Sequence, residues 1–422
     1  MKKRKARILV LFLAVLLVSV SACKNPFLKK MLVEEGMGNT VPEKPHAPFV
    51  EGGASLILSP DELHITVEVT TADSTPITVE GCTETTLPSG ARTMLHAKGT
   101  RVILKGKIIK LDCNINQLTA LNVQGLTALQ VLDCGYNQLT ALNVQGLTAL
   151  QTLDCSDNLL TALNVQGLSA LRRLFCGNNQ LTALNVQGLS ALQELFCDVN
   201  QLTALNVQGL SALQELSCDV NQLTELNVQG LSALKKLSCR GNQLTALNVQ
   251  GLSALQELNC HGNQLTALNV QGLTALRSLS CGGNQLTALN VQGLTALQGL
   301  YCYNNQLTIL NVQGLTALGW LYCGNNQLTT LNVQGLTALR TLRCYNNKLT
   351  AQAFTKLFDD LPTRQDSDNG ECILYTEESG VTEGNHKDFS TPPDLAAAFN
   401  NAKNNKKWKM YKWNGSWPGV EI

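Results

Sequence analysis

Twelve cysteines fall on one period. Cys113, Cys134, Cys155, Cys176, Cys197, Cys218, Cys239, Cys260, Cys281, Cys302, Cys323 and Cys344 are spaced 21 residues apart without a slip. Thiolates ligate metals and attack disulfides, so the column could carry either chemistry. A tetrahedral metal site needs four ligands converging on a point, which a straight column with single spacing does not provide. A disulfide is closer to feasible, because adjacent strands lie about 4.8 Å apart and bridged cysteines span a similar Cα distance. Strands in register, however, point equivalent side chains the same way. The expectation is a file of buried free thiols acting as small apolar residues. Cys82 and Cys372 stand off the period, and their redox state is left open.

Other reactive constellations are sparse. The five histidines (His46, His64, His96, His261 and His386) are scattered, and no nucleophile–base pair, metal cluster or phosphate loop stands out. The run Asp366-Ser-Asp368-Asn-Gly370-Glu371 is loosely like a calcium loop. Its glycine is misplaced and a correctly spaced final Glu is missing, so a turn is expected. A net charge of +1 gives no broad electrostatic case for nucleic acid. We therefore expect no enzyme, no cofactor, no metal and no nucleic-acid partner.

One covalent modification is indicated. Lys2, Lys3, Arg4, Lys5 and Arg7 precede an apolar run from Ile8 to Val20, which is followed by Ser21, Ala22 and Cys23. This is the layout of a secretory signal, and the run is short for a membrane span. Val20-Ser21-Ala22-Cys23 resembles a bacterial lipobox. Residues 1–22 would be removed and Cys23 acylated, anchoring the chain in a membrane with more than one acyl chain. Residues 23–53, with Pro26, Pro42, Pro45, Pro48 and several glycines, then read as a flexible tether.

These residues need a frame, and the sequence states it repeatedly. Leu-Asn-Val-Gln-Gly-Leu begins at Leu121 and recurs every 21 residues to Leu331, eleven copies in all. Leu-x-x-Leu-x-Cys-x-x-Asn-x-Leu runs in phase, as at Leu129, Leu132, Cys134, Asn137 and Leu139. Such self-similarity marks a solenoid, and the spacing is that of leucine-rich repeats. Leu132-Asp133-Cys134 should alternate in, out, in as a strand of a parallel sheet. The asparagine row (Asn116, Asn137, Asn158, Asn179 and so on to Asn347) should bond the backbone at the bend after each strand. The half-coil Thr140–Leu147 is too short for a full helix, so a turn-like outer side is expected. An open solenoid end needs a cap. The predicted architecture is a β-rich solenoid: an N-terminal β cap over 54–105, about 12 coils over 106–350 and an α+β C-terminal cap over 351–422.

The two phrases together resemble the cysteine-ladder leucine-rich repeats of bacterial surface proteins, with internalin J-like adhesins the best-known group. The likeness covers about residues 106–350. It implies a right-handed curved superhelix with a parallel concave sheet, and an adhesive or host-contact role. The chain departs from that group in having a lipobox and no visible cell-wall sorting signal, which favours an outer-membrane or cell-surface location.

The copies differ mainly on the strand face. The positions of Val131 and Asp133 take many residue types, whereas the Asn and Gln of Leu-Asn-Val-Gln-Gly-Leu never change. Either the strand face binds a partner, or the constant rows are held by structural hydrogen bonds or recent duplication. Phe175 and Phe196 come first along this face. An acidic zone of Glu194, Asp198, Glu215 and Asp219 overlaps and follows them, and Lys235, Lys236 and Arg240 come next. Tyr301, Tyr303, Trp320, Tyr322 and Tyr345 then gather beside Arg340 and Arg343. Tyr, Trp and Arg dominate binding hot spots, and exposed rings also stack on sugars. The alternative is cross-strand pairing that only stabilises the sheet. The functional expectation is a lipid-anchored surface binding protein or adhesin that takes a protein or carbohydrate on its concave face. The alternative is a periplasm-facing envelope scaffold. Near the C-terminus, Lys406, Lys407, Lys409 and Lys412 interleave with Trp408, Tyr411, Trp413 and Trp417. This segment reads as a capping strand or, alternatively, as a glycan- or lipid-touching patch.

Overall fold

The computed structural model describes residues 46–422 other than Asn369, Trp417 and Pro418. The signal segment 1–22, the lipidation site Cys23 and the tether up to residue 45 lie outside the described residues.

Eleven three-residue strands repeat through the array: β9 (Val131–Asp133), β10 (Thr152–Asp154), β11 (Arg173–Phe175), β12 (Glu194–Phe196), β13 (Glu215–Ser217), β14 (Lys236–Ser238), β15 (Glu257–Asn259), β16 (Ser278–Ser280), β17 (Gly299–Tyr301), β18 (Trp320–Tyr322) and β19 (Thr341–Arg343). Each pairs in parallel with the next at an offset of one repeat, as Leu132 does with Leu153 and Leu153 with Leu174. The strand sits one residue earlier than Leu132-Asp133-Cys134 suggests. Val131 and Asp133 face outward and Leu132 inward, and Cys134 lies just past the strand end. The cause is the bend: Asn137 Nδ2 takes the Cys134 carbonyl at 3.0 Å. Tyr136 just beyond sits at φ 53°, which turns the chain out of the sheet.

Inside each coil the apolar period becomes a continuous core. Leu129, Leu132, Cys134, Leu139, Leu142, Val144 and Leu147 are all buried, as are their equivalents along the array. The cysteines are free and buried. Burial pushes the Cys260 and Cys302 thiols up to about 12. The outer half-coils are turns, with no helix between β9 and β19.

Two side-chain ladders join the coils. In the inner one, Asn158 Nδ2 donates to the carbonyls of Cys134 (3.0 Å) and Cys155 (3.2 Å), while its Oδ1 accepts from Leu139 N at 2.9 Å. Each asparagine thus bonds its own coil and the one before. In the outer one, Asn143 Oδ1 accepts from Gln145 N (3.0 Å), and Gln145 Nε2 reaches the Asn164 carbonyl of the next coil at 2.9 Å. The unchanging Asn and Gln of the repeated phrase therefore have a structural cause, one of the two alternatives that the sequence left open.

Both ends continue these devices. At the N-terminal end, β7 (Ile108–Asp112) opens the parallel run and pairs with β2 (His64–Thr71), which pairs with edge strand β5 (Arg92–His96). A second sheet places β1 (Gly53–Ile57) between β6 (Arg101–Lys105) and β8 (Ala120–Asn122), with β3 (Ile77–Glu80) and β4 (Thr86–Leu87) beyond β6. Asn116 exchanges two 2.8 Å bonds with the Thr66 backbone, which closes the asparagine ladder. Residues 46–53 belong to this body and do not hang from it. Ala47 is buried, its carbonyl accepts from Asn122 Nδ2 at 3.1 Å, and Gly53 already begins β1.

At the other end, α1 (Ala351–Asp360) starts on the Thr350 cap and stops before Pro362. Then β20 (Gly370–Thr376) extends the sheet in parallel beside β19, α2 (Pro393–Asn404) packs on α1, and β21 (Trp408–Trp413) pairs with β20 before the short edge β22 (Val420–Glu421). The Asp366–Asp368 stretch is a single 3-10 turn. Of the lysine–aromatic segment, Trp408 and Tyr411 are buried while Lys409 is exposed, as befits a capping strand. Asn385 takes the next place in the ladder: its Oδ1 accepts from Leu349 N at 2.9 Å, and its Nδ2 donates to the Cys344 and Leu374 carbonyls.

Candidate functional site

Two outward rows bear on the groove in the same register, one at the Asp133 position on the strands and one two residues later, just past each strand end, with the Val131 row beside them. The first row reads Phe175, Phe196, Ser217, Ser238, Asn259, Ser280, Tyr301, Tyr322, Arg343. Small polar residues thus form a floor between two aromatic ends. From Phe196 to Tyr301 is five strand steps, roughly 24 Å at about 4.8 Å each. A groove of about 730 Å3 occupies this stretch, reaching from Phe196 to Tyr345.

The C-terminal wall is built by large residues seated over glycines. Tyr301 lies over Gly299, where a Cβ would come within 2.9 Å of its ring. Tyr303 and Tyr345 lie over Gly282 and Gly324, at 3.1 and 3.0 Å by the same measure. Tyr301 and Tyr322 meet edge to face with centroids 5.0 Å apart. The Arg343 guanidinium carbon stands 4.0 Å from the Tyr322 ring centre, a cation–π contact. Tyr345 stacks on Trp413 of β21 at 6.1 Å, so the cap buttresses the patch. Burial raises the Tyr301 and Tyr345 hydroxyl pKa values, keeping both as neutral hydrogen-bonding groups. All four tyrosines remain half-buried, each with a face to solvent.

The remaining candidates divide. Glu215 lines the groove and pairs with Lys236 at 3.1 Å, whereas Glu194 pairs with Arg173 at 3.3 Å and lies outside the groove lining. Asp219 accepts from Ser238 Oγ (2.6 Å) and Arg240 N (2.7 Å), and burial raises its pKa despite those bonds. Trp320, 40% exposed at the start of β18, and Arg340, exposed before β19, both lie outside the groove lining. Phe175 and Phe196 stack at 5.2 Å and border a second hollow of about 270 Å3 that includes Asp198. Sequence reasoning missed the floor (Ser217, Ser238, Asn259, Ser278 and Ser280) and the three glycine seats. For Ser217, Ser238, Asn259 and Ser280 the only signal is being small in a row whose ends are large, while Ser278 and Gly299 stand in the Val131 row and Gly282 and Gly324 in the row past the strands. Among the described residues no group of three or more His, Cys, Asp or Glu is placed to hold a metal ion.

No protein-family model and no curated protein sequence matches the chain. Solved structures do. An internalin (inlF) of Listeria monocytogenes is 23% identical over 69% of this chain and 84% of its own, with a TM-score of 0.59. A leucine-rich-repeat protein of Leptospira interrogans is 25% identical over 71% of this chain and 82% of its own, at 0.54. The functional domain of InlJ from Listeria monocytogenes, described as including a cysteine ladder, is 26% identical over 64% of this chain and 74% of its own, at 0.45. The first two establish the fold, and the array itself supplies the ladder: this is a cysteine-ladder leucine-rich-repeat solenoid.

Proposed function

We propose that this chain is a bacterial cell-surface binding protein, held by a lipid at Cys23, whose strand face grips a protein partner between the Phe196 and Tyr345 ends of the groove. The groove carries this reading: about 730 Å3 of open space, walled by half-buried tyrosines, three of them seated over glycines, above a row of small polar residues, Ser217, Ser238, Asn259 and Ser280. Tyrosine and arginine anchors in a preformed hollow supply most of the energy in protein interfaces. The solenoid contributes rigidity, since each wall residue sits on a strand or just past its end, where the asparagine ladder bonds the bend to its neighbours.

Two measurements test it. In protease shaving of intact cells, the repeats are cut while a periplasmic control survives; if they survive until the outer membrane is opened, the protein is an envelope scaffold facing the periplasm. In binding screens on protein and glycan arrays, Trp320→Ala with Tyr322→Ala lowers affinity for a captured protein at least tenfold. Unchanged affinity removes the patch from the interface, and capture of glycans alone replaces the protein reading with a carbohydrate one.

A further inference from the structure

We infer that the N-terminal hollow, beside the Phe175–Phe196 stack, is a seat for one cationic side chain of the partner, an arginine or lysine. The inference rests on the reading of the strand face as a protein-binding surface and adds the chemistry of one subsite.

The hollow, about 270 Å3, is large enough for one long side chain. Its apolar wall is the two stacked phenyl rings, half-buried, with centroids 5.2 Å apart. Its polar wall is Asp154, Asp157 and Asp198. Among the described residues no cation lies within ion-pair distance of any of the three. By contrast Asp112, Glu194 and Glu215 on the same face are matched by Arg92, Arg173 and Lys236. Among the described residues Asp133 and Asp219 have no such ion pair either, and of these unpaired carboxylates it is Asp154, Asp157 and Asp198 that border the phenyl stack.

They are also held in place. Asp154 Oδ1 accepts from Ser156 N (3.0 Å) and Ser156 Oγ (2.5 Å), and Asp198 Oδ1 accepts from Ser217 Oγ and from Asp219 N at 2.9 Å. In both residues these bonds use one oxygen and leave Oδ2 available. A planar guanidinium lying on a phenyl face while donating to fixed carboxylate oxygens meets the preferences of both walls. An apolar side chain would cover the rings but strip water from three charges, and an anion would be repelled by them.

The rim also carries Val199, 46% exposed, whose aliphatic surface can take the methylene stem of the incoming side chain.

The test titrates the full chain with the peptide acetyl-Gly-Arg-Gly-amide and with its citrulline counterpart, which keeps the shape and removes the charge, by calorimetry and ligand-observed NMR. The arginine peptide binds at least tenfold more tightly. Asp154→Asn with Asp198→Asn keeps every Oδ1 acceptor and so keeps the fold, yet weakens the arginine peptide at least tenfold. Phe175→Leu with Phe196→Leu, which keeps bulk and removes the ring faces, weakens it several-fold. Glu225→Gln, on the outer side, changes nothing. Equal binding of the two peptides, or a double Asn variant that binds like the native chain, overturns the inference. A partner captured through Tyr322 that ignores Asp154 and Asp198 also overturns it while leaving the groove reading intact.

Discussion

Asn221→Ala tests the inner ladder at the middle of the array. Asn221 Nδ2 donates to the carbonyls of Cys197 (3.0 Å), Cys218 (3.2 Å) and Asp219 (3.2 Å), and its Oδ1 accepts from Leu202 N at 3.0 Å. Alanine removes all four bonds, but the losses are unequal. Cys197 O keeps Asn200 Nδ2 at 3.1 Å and Cys218 O keeps Asn242 Nδ2 at 3.0 Å. Leu202 N, in a buried residue, has no other acceptor. Leaving one buried N–H unpaired costs about 1–3 kcal/mol, and the shared bonds add about 1 kcal/mol more. The expected loss is therefore roughly 2–4 kcal/mol. Asn227→Ala on the outer side, which frees only the exposed Gln229 N, costs about 0.5–1 kcal/mol. A solenoid can open coil by coil, so the assay pairs a urea midpoint with hydrogen exchange read at the Leu202 amide. Asn221→Asp adds a pH signature. One carboxylate oxygen can still accept from Leu202 N, but the other faces carbonyls where a donor stood, so the folded pKa rises above the ordinary value of about 3.9. The folded state then holds more protons than the unfolded one above that pH, and stability falls as pH rises through it. The variant is weakest near neutrality and recovers in acid. If Asn221→Ala matched Asn227→Ala within about 0.5 kcal/mol, the ladder would be ornamental and the argument wrong.

Other expectations follow from the same geometry. The twelve ladder thiols stay silent to an aromatic disulfide reagent in the native chain and titrate after denaturation; few thiols released would mean they are not free. Because burial lifts thiols such as Cys260 and Cys302 to about 12, the unfolded chain loses thiol protons first above pH about 8.5. Stability must then fall as pH rises from there toward 12, by up to about 1.4 kcal/mol per pH unit for each coil that opens, and a flat melting temperature between pH 8 and 10 would contradict it. Deleting residues 234–254, one whole coil, leaves a folded chain, whereas one alanine inserted between Thr245 and Ala246 does not; circular dichroism and proteolysis decide. Val199→Asn relieves left-handed strain and raises stability by about 1 kcal/mol in urea melts, yet weakens binding of the arginine peptide.

Most of the fold is legible because a period repeated without a slip leaves few alternatives. Inward leucines, the cysteine file and the asparagine row all follow from one coil copied along an axis. What escapes is whatever the period does not contain. Asn385 completes the ladder although it stands off the 21-residue step, because α1 and β20 intervene and tertiary packing alone brings it to Leu349. Residues 46–53 read as tether from their prolines and glycines, yet Asn122 and β6 hold them to the body. The one-residue strand offset arises because the Cys134 carbonyl bonds to asparagine side chains at the bend. In the groove, aromatics announce themselves by type, whereas serines and glycines acquire a role only from the size of their neighbours.

The contrast between constant and variable rows needs a different baseline from the one the sequence offers. Asn143 and Gln145 and their equivalents are fixed by bonds, so their constancy says nothing about drift. The outer Ala141 row is a fairer control. It is exposed, has no side-chain hydrogen bonds to make, and sits in the same copied segment. Along it alanine gives way only at Glu225, Ile309 and Thr330. Over the same coils the Asp133 row passes through Asp, Phe, Ser, Asn, Tyr and Arg, ordered so that small residues lie between aromatic ends. Unselected change at two equally free surfaces would scatter both alike and would not produce a floor with walls. That difference, measured within one chain against a row with nothing to bond, supports a strand face diversified for a partner while the ladders beneath it stayed fixed.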